Sequence, residues 1–271
     1  MSSIVLSAGV RSNLLQLQQT SDLITQTQTR LATGLRVNSA LDNPNNYFTA
    51  QGLNNRASDL GNLLDSMSSA INTIQAANNG ISAITKLVQS AQSLVSQAQQ
   101  TSDTTVRASL SSQFDSIRTQ IDKLAGDSGF NGINLLNGNN LTVTMNETGT
   151  SSVTVSGVTD TSAGALSLNG AANNWAGASD ISTASTQLTT ALTTLRSQAQ
   201  TLGASLSTVQ IRQDFTKATI NTLQTGANDL TLADSNQEGA NLLALQTRQQ
   251  LSTTALSLAS QADQNVLRLF Q

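Results

Sequence analysis

From Val10 onward, apolar residues return at alternating steps of four and three: Val10, Leu14, Leu17, Ile24, Leu31 and Leu35, with Ser21 and Gln28 filling the places between. This spacing keeps one stripe on one face of an α-helix and marks a coiled-coil seam. Its polar members make the seam thin, so the helix is expected to need a partner. Leu41–Phe48, LDNPNNYF, sets Pro44 among asparagines and reads as a turn or irregular link before a long helix. That helix carries Leu60, Leu64, Met67, Ile71, Ile74, Ile81, Ile84, Val88, Ala91, Val95 and Ala98 on one stripe. A turn near Asn78–Gly80 is expected to be loosened by its composition. After the polar break QQTSDTT, Val106, Leu110, Phe114, Ile117, Ile121 and Leu124 mark a third helix that ends at Gly126.

A fourth helix has the longest unbroken four-three rhythm: Leu188, Leu192, Leu195, Ala199, Leu202, Leu206, Val209, Gln213, Thr216, Ile220, Leu223, Ala227 and Leu230. At 1.5 Å rise per residue this seam is roughly 65 Å long, so other long helices must cover it. After a link around Asp234–Gly239, a last helix places Leu251, Ala255, Leu258, Ala262 and Leu269 on one stripe and mirrors the first. Between the third and fourth helices, Gly, Asn, Ser and Thr dominate, and LTVTMN and SVTVSGV alternate about ETGTS as a β-hairpin does. The expected fold is mainly α: long antiparallel helices in a coiled-coil-like bundle, the terminal helices paired, with a small β-hairpin region.

Composition narrows the function. The chain has 271 residues, 38% hydrophobic, 3% aromatic and 11% charged, with a formal charge of -3. Asn, Gln, Ser and Thr supply nearly half of it, and Pro44 is its single proline. Uncharged polar side chains let long helices approach copies of themselves without like-charge repulsion. Disorder fits poorly with this hydrophobic share and small net charge. With neither histidine nor cysteine, the usual general base, thiolate nucleophile and soft metal ligands are missing, so no enzyme, metal site or cofactor is expected. Asp59, Asp65, Asp115 and Asp122 read as solvated charges on helix faces. No Lys or Arg lies between Lys123 and Arg196, whereas Asp127, Glu147, Asp160 and Asp180 do, a polar acidic face suited to solvent and repelling nucleic acid. The opening MSSIVLSAGVRSNLLQLQQ lacks the basic and apolar regions of a secretory signal, and no run is long enough to insert into a membrane. Any export is therefore expected to avoid a cleaved signal.

Three segments carry a resemblance. RLATGLRVNSALDNPNNYFTAQGL, Arg30–Leu53, resembles the flagellin N-terminal signature. GFNGINLLNG, Gly129–Gly138, resembles the flagellin F-N-G-x-x-L-L turn. LLALQTRQQLSTTALSLASQADQNVLRLF, ending at Phe270, resembles the family's C-terminal helix. The resemblance implies a subunit of the bacterial flagellar filament, secreted unfolded through the flagellar type III pathway and polymerised at the distal tip. The hook-filament junction protein of the same family is the alternative.

Residues 1–42 and 235–271 would then form inner paired terminal helices. Residues 43–234 would form a helical shell with a short β/loop insert at about 126–180, and no separate outer domain is expected. Subunit packing and terminal pairing fall to Val10, Leu14, Leu17, Ile24, Leu31, Leu251, Leu258, Val266, Leu269 and Phe270. Implied partners are further copies of the chain, the flagellar cap and hook-filament junction proteins, and an export chaperone and gate, with no nucleic acid and no membrane insertion. Flagellins seen by vertebrate innate receptors carry an L-Q-R-V-R-E-L-A-V-Q-like stretch. Here the matching VQSAQSLVSQ, Val88–Gln97, has Ser90 and Gln92 for the arginines and Ser93 for the glutamate, so weak or absent receptor activation is expected. Asn140-Leu-Thr and Asn146-Glu-Thr match N-glycosylation sequons, although the resemblance favours O-glycosylation of the middle segment.

Overall fold

A computed structural model describes residues 8–269. In chain order it contains α1 (Ala8–Thr33), α2 (Pro44–Gln100), α3 (Thr104–Asp127), β1 (Leu141–Thr144), β2 (Ser152–Val155), a 3-10 turn (Ala172–Trp175), α4 (Ala178–Thr231) and α5 (Ser235–Leu269). The fold is mainly α with one antiparallel hairpin, in which Leu141 pairs with Val155 and Thr144 with Ser152. By contacts the chain divides into two compact units. One holds the described residues up to Asn55 and those from Thr222 onward, and the other is Arg56–Asn221.

Within Arg56–Asn221 the core follows the sequence stripes closely. Met67, Ile74, Ile84 and Val88 of α2, Phe114 and Ile121 of α3, and Leu188, Leu195 and Val209 of α4 are all fully buried. Each such side chain contributes about 1.5 to 3 kcal/mol by leaving water. The four-three seam of α4 is buried or half-buried at every position from Leu188 to Leu230. Asp103 caps α3, its carboxylate accepting from the N–H groups of Thr105 and Val106.

The turn at Asn78–Gly80 is not loosened, and α2 runs through it without a break. Gly80 is there for packing: a Cβ at this position would collide with Ser128 and the Leu136 side chain. The 57-residue α2 also begins earlier than Leu41–Phe48 suggests, at Pro44 itself. Proline suits the first helical position, where its missing N–H has no partner to lose and its fixed φ is already helical. Asn43 completes the start by accepting from the N–H of Asn46 at 3.0 Å. The link before α5 is shorter than expected for a similar reason. Asp234 accepts from the N–H groups of Asn236 and Gln237, so the helix starts at Ser235.

The middle segment is less solvated than its composition implies. Leu135, Leu136, Val143, Val155, Leu166, Leu168 and Trp175 are buried with the helices. Asn134 ties the GFNGINLLNG turn to the end of α3: its Nδ2 donates to the carbonyls of Ala125 and Gly126, and its Oδ1 accepts from Leu136 N–H. Asn131 and Gly132, at φ 50 and 79, make the tight reversal between Phe130 and Ile133. Asn173, Asn174 and Trp175 all adopt positive φ, a backbone cost offset by burying the Trp175 indole 5.1 Å from the Phe114 ring.

Asp115 and Asp122 are not merely solvated charges. Asp115 pairs with Arg118 at 3.0 Å and accepts from Ala171 N–H, while Asp122 accepts from both the N–H and the hydroxyl of Ser162. Both therefore pin the insert to α3. Asp160, counted above among the solvent-facing acids, is fully buried.

Candidate self-assembly surfaces

In the unit that holds both chain ends, α1 and α5 pair along their length. Leu23 and Thr27 share a groove of about 300 Å³ with Asn241 and Leu245. Arg30 meets Glu238, so the two helices run antiparallel. On α1 the buried or half-buried positions are Val10, Asn13, Leu17, Thr20, Ile24, Thr27, Arg30 and Leu31. The stripe keeps Val10, Leu17, Ile24 and Leu31 but takes Asn13, Thr20 and Thr27 in place of Leu14, Ser21 and Gln28. Leu14 stands outward at 39% exposure, with Leu15 and Leu23 also exposed. Thr20 turns its hydroxyl back to Gln16 O at 2.8 Å, which lets a polar residue be buried in the pairing face.

The same offset occurs on α5. Its inward positions are Glu238, Leu242, Leu245, Gln249, Ser252, Leu256 and Ala259. Leu251 and Leu258, placed on the single stripe read from the sequence, are 66% and 62% exposed, and Leu243 is exposed beside them. α5 thus has two apolar stripes, one facing its partner helix and one facing away, while α1 carries exposed leucines at Leu14, Leu15 and Leu23 on either side of its pairing face. Val266 and Leu269 lie within α5, but their side chains, like Phe270 as a whole, fall outside the described residues.

A compact knot joins the links at the other end of the pair. Gly34 takes φ +69 just after α1, the left-handed conformation that ends a helix and favours glycine. Arg36 and Val37 donate their N–H groups to Thr231 O, and Ala233 N–H donates to Gly34 O. The first two satisfy the Thr231 carbonyl, in the last turn of α4, which has no partner within the helix. Asp42 accepts from the N–H groups of Asn38 and Ser39, both at 3.0 Å, and these two bonds hold its carboxyl below the usual range. Arg30, in the last turn of α1, reaches Glu238, in the first turn of α5, at 3.3 Å. Each charge sits at the helix end whose dipole favours it. The contact is a single one, leaving Arg30 Nε and Glu238 Oε2 buried without partners.

The residues that build this knot are those of the RLATGLRVNSALDN segment, and the family comparisons cover the same ground. The bacterial flagellin N-terminal helical region matches residues 8–141, and the bacterial flagellin C-terminal helical region matches 185–270. The chain is 32% identical to flagellin FljM of Caulobacter vibrioides, over 100% of this chain and 99% of that protein. The chain belongs to the flagellin family. Flagellin FljN of the same organism is 33% identical over the same shares, and a flagellin of Brucella melitensis is 29% identical across the full length of both. A solved flagellin from Bacillus cereus aligns with 57% of this chain and 88% of its own, at TM-score 0.47 and 21% identity, too slight a likeness to argue from.

As a flagellin, the chain is a structural subunit that polymerises with copies of itself into the extracellular flagellar filament, and it is not an enzyme. No described helix is long and apolar enough to cross a membrane. Several exposed apolar side chains escaped the sequence reading: Leu15, Leu23 and Leu243 on the terminal helices, Phe48 on α2, and Ile211 and Phe215 on α4. On α4 and α5 the signal was a second stripe offset from the first seam. In the receptor-like segment, Ser90 and Ser93 are exposed on α2 and Gln92 is half-buried.

Proposed function

We propose that the exposed leucines of α1 and α5, Leu14, Leu251 and Leu258 foremost, are the surfaces through which this flagellin packs against neighbouring subunits. Val10, Leu17, Ile24 and Leu31 belong to the pairing face. The observation that carries this is the pair of leucines on α5 more than three-fifths exposed in the single chain. Covering apolar surface contributes about 25 cal/mol per Å², so a face that costs the monomer stability becomes cohesive in a polymer. Residues 1–42 and 235–271 act as the inner paired layer, 43–234 as the surrounding shell, and no separate outer domain is present.

The subunit leaves the cell unfolded through the flagellar type III pathway, handed on by an export chaperone and gate and then by cap and junction proteins. The absence of cysteine supports threading, because no disulfide can lock a loop. Leu14→Asp and Leu258→Asp should leave the helical circular-dichroism spectrum of the monomer intact and abolish filaments, since a carboxylate buried in an apolar seam is strongly unfavourable. Normal-length filaments from either variant would refute the assignment. The unaltered chain should form long filaments alone in salting-out buffer, whereas a hook-filament junction protein would not.

A further inference from the structure

Asp160, in the loop after β2, has no solvent exposure. Its N–H donates to Leu136 O at 2.8 Å, and its Oδ1 accepts a 2.7 Å hydrogen bond from Gln198 Nε2 on α4. The two atoms left over in this contact are Asp160 Oδ2 and Gln198 Oε1, both buried and both without a partner. Two orphaned acceptors on groups already joined by one bond are costly while the carboxyl is ionised. A single proton on Oδ2 turns one of them into a donor, so the planar acid and the planar amide can close a ring of two hydrogen bonds.

The surroundings supply no charge to favour the anion. On α3, Arg118 is committed to Asp115, to Leu168 O and to the Ser162 hydroxyl, and Asp122 is committed to Ser162. Lys123 on α3 and Arg196 on α4 are exposed. The segment that supplies Leu136 O, residues 133–139, carries no charged side chain, and neither does β2. We infer that the protonated Asp160 carboxyl closes a two-bond acid–amide ring with Gln198 that fastens the insert to α4 and opens when the carboxyl ionises.

Burial pushes the Asp160 carboxyl upward, and the Gln198 bond only partly opposes it. A raised folded value means that the stabilisation is fully present below the ordinary 3.8 and is lost as pH rises through the folded pKa. The latch is therefore tight in acid and slackens toward alkaline pH.

The test uses the full-length chain. The Asp160 Cγ resonance, assigned through the backbone, should titrate with a midpoint above 3.8, and a midpoint at or below that value overturns the inference. Asp160→Asn supplies a permanent amide that donates to Gln198 Oε1 and accepts from Nε2 at every pH. Relative to it, the folding constant of the unaltered chain should fall by up to about tenfold per pH unit across the window between the unfolded and folded pKa values. Parallel pH–stability curves, or an Asp160→Asn chain that does not fold at any pH, would equally overturn it.

Discussion

Asp42 and Asp160 are both aspartates in polar stretches of the sequence, and the structure gives them opposite environments. Asp42 is exposed and gathers two backbone N–H groups, which favour its charged form. Its folded pKa is lowered, so its contribution is fully present above 3.8 and is lost as pH falls through the folded value. Asp42→Asn should therefore lower the melting temperature at pH 7, with the gap to the unaltered chain closing as the medium is made more acid than the folded pKa. A gap that stayed constant with pH would mean that the carboxylate charge plays no part. Glu147 behaves like Asp42, held low by its own backbone N–H and by Arg56, which pairs with it. Nothing in the local sequence around Asp160 marks it as the exception, because its partner Gln198 lies on a helix 38 residues further on.

At the scale of elements, the helices were legible because burial on a helix obeys a period, and α4 kept that period from Leu188 to Leu230. Glycines were less so, since the same residue loosens one helix and permits close packing in another. Gly80 meets Ser128 and Leu136, whereas Gly203 on α4 has open space around its missing side chain. Gly80→Val should cost about 1 to 3 kcal/mol through overpacking. Gly203→Ala should stabilise by up to about 1 kcal/mol through helix propensity. Urea unfolding of the two variants checks both signs, and a neutral Gly80→Val would show that the α2–insert contact gives way easily. The hairpin was readable from its alternation, but the burial of the residues around it was not, since Leu166, Leu168 and Trp175 show no period.

For the molecule as a whole, the decisive feature is that the terminal helices carry more apolar surface than their mutual pairing uses. A chain folding for itself alone has no use for exposed Leu243, Leu251 and Leu258, while a subunit that polymerises does. Surface chemistry elsewhere also belongs to this scale. With uncharged Ser90, Gln92 and Ser93 on α2, filament-derived monomer should activate a cell-based innate-receptor reporter weakly or not at all at doses where charge-bearing flagellins saturate it. A full response would show that recognition does not need those charges.

The order and kind of the helices, the hairpin, and the absence of histidine and thiol chemistry were settled by the amino-acid pattern, because periodicity and composition are local properties that survive whatever the chain packs against. Which face of α1 meets α5 was not settled, since Leu17, Ile24 and Leu31 can be joined either by Leu14, Ser21 and Gln28 or by Asn13, Thr20 and Thr27, two faces one residue apart in phase. The choice falls to the partner: Glu238 and Leu245 lie against the face that bears Thr27 and Arg30, and Leu14 and Leu15 are left exposed. Tertiary structure alone likewise decided that Asp160 is buried and Asp42 is not, because desolvation depends on neighbours distant in the chain.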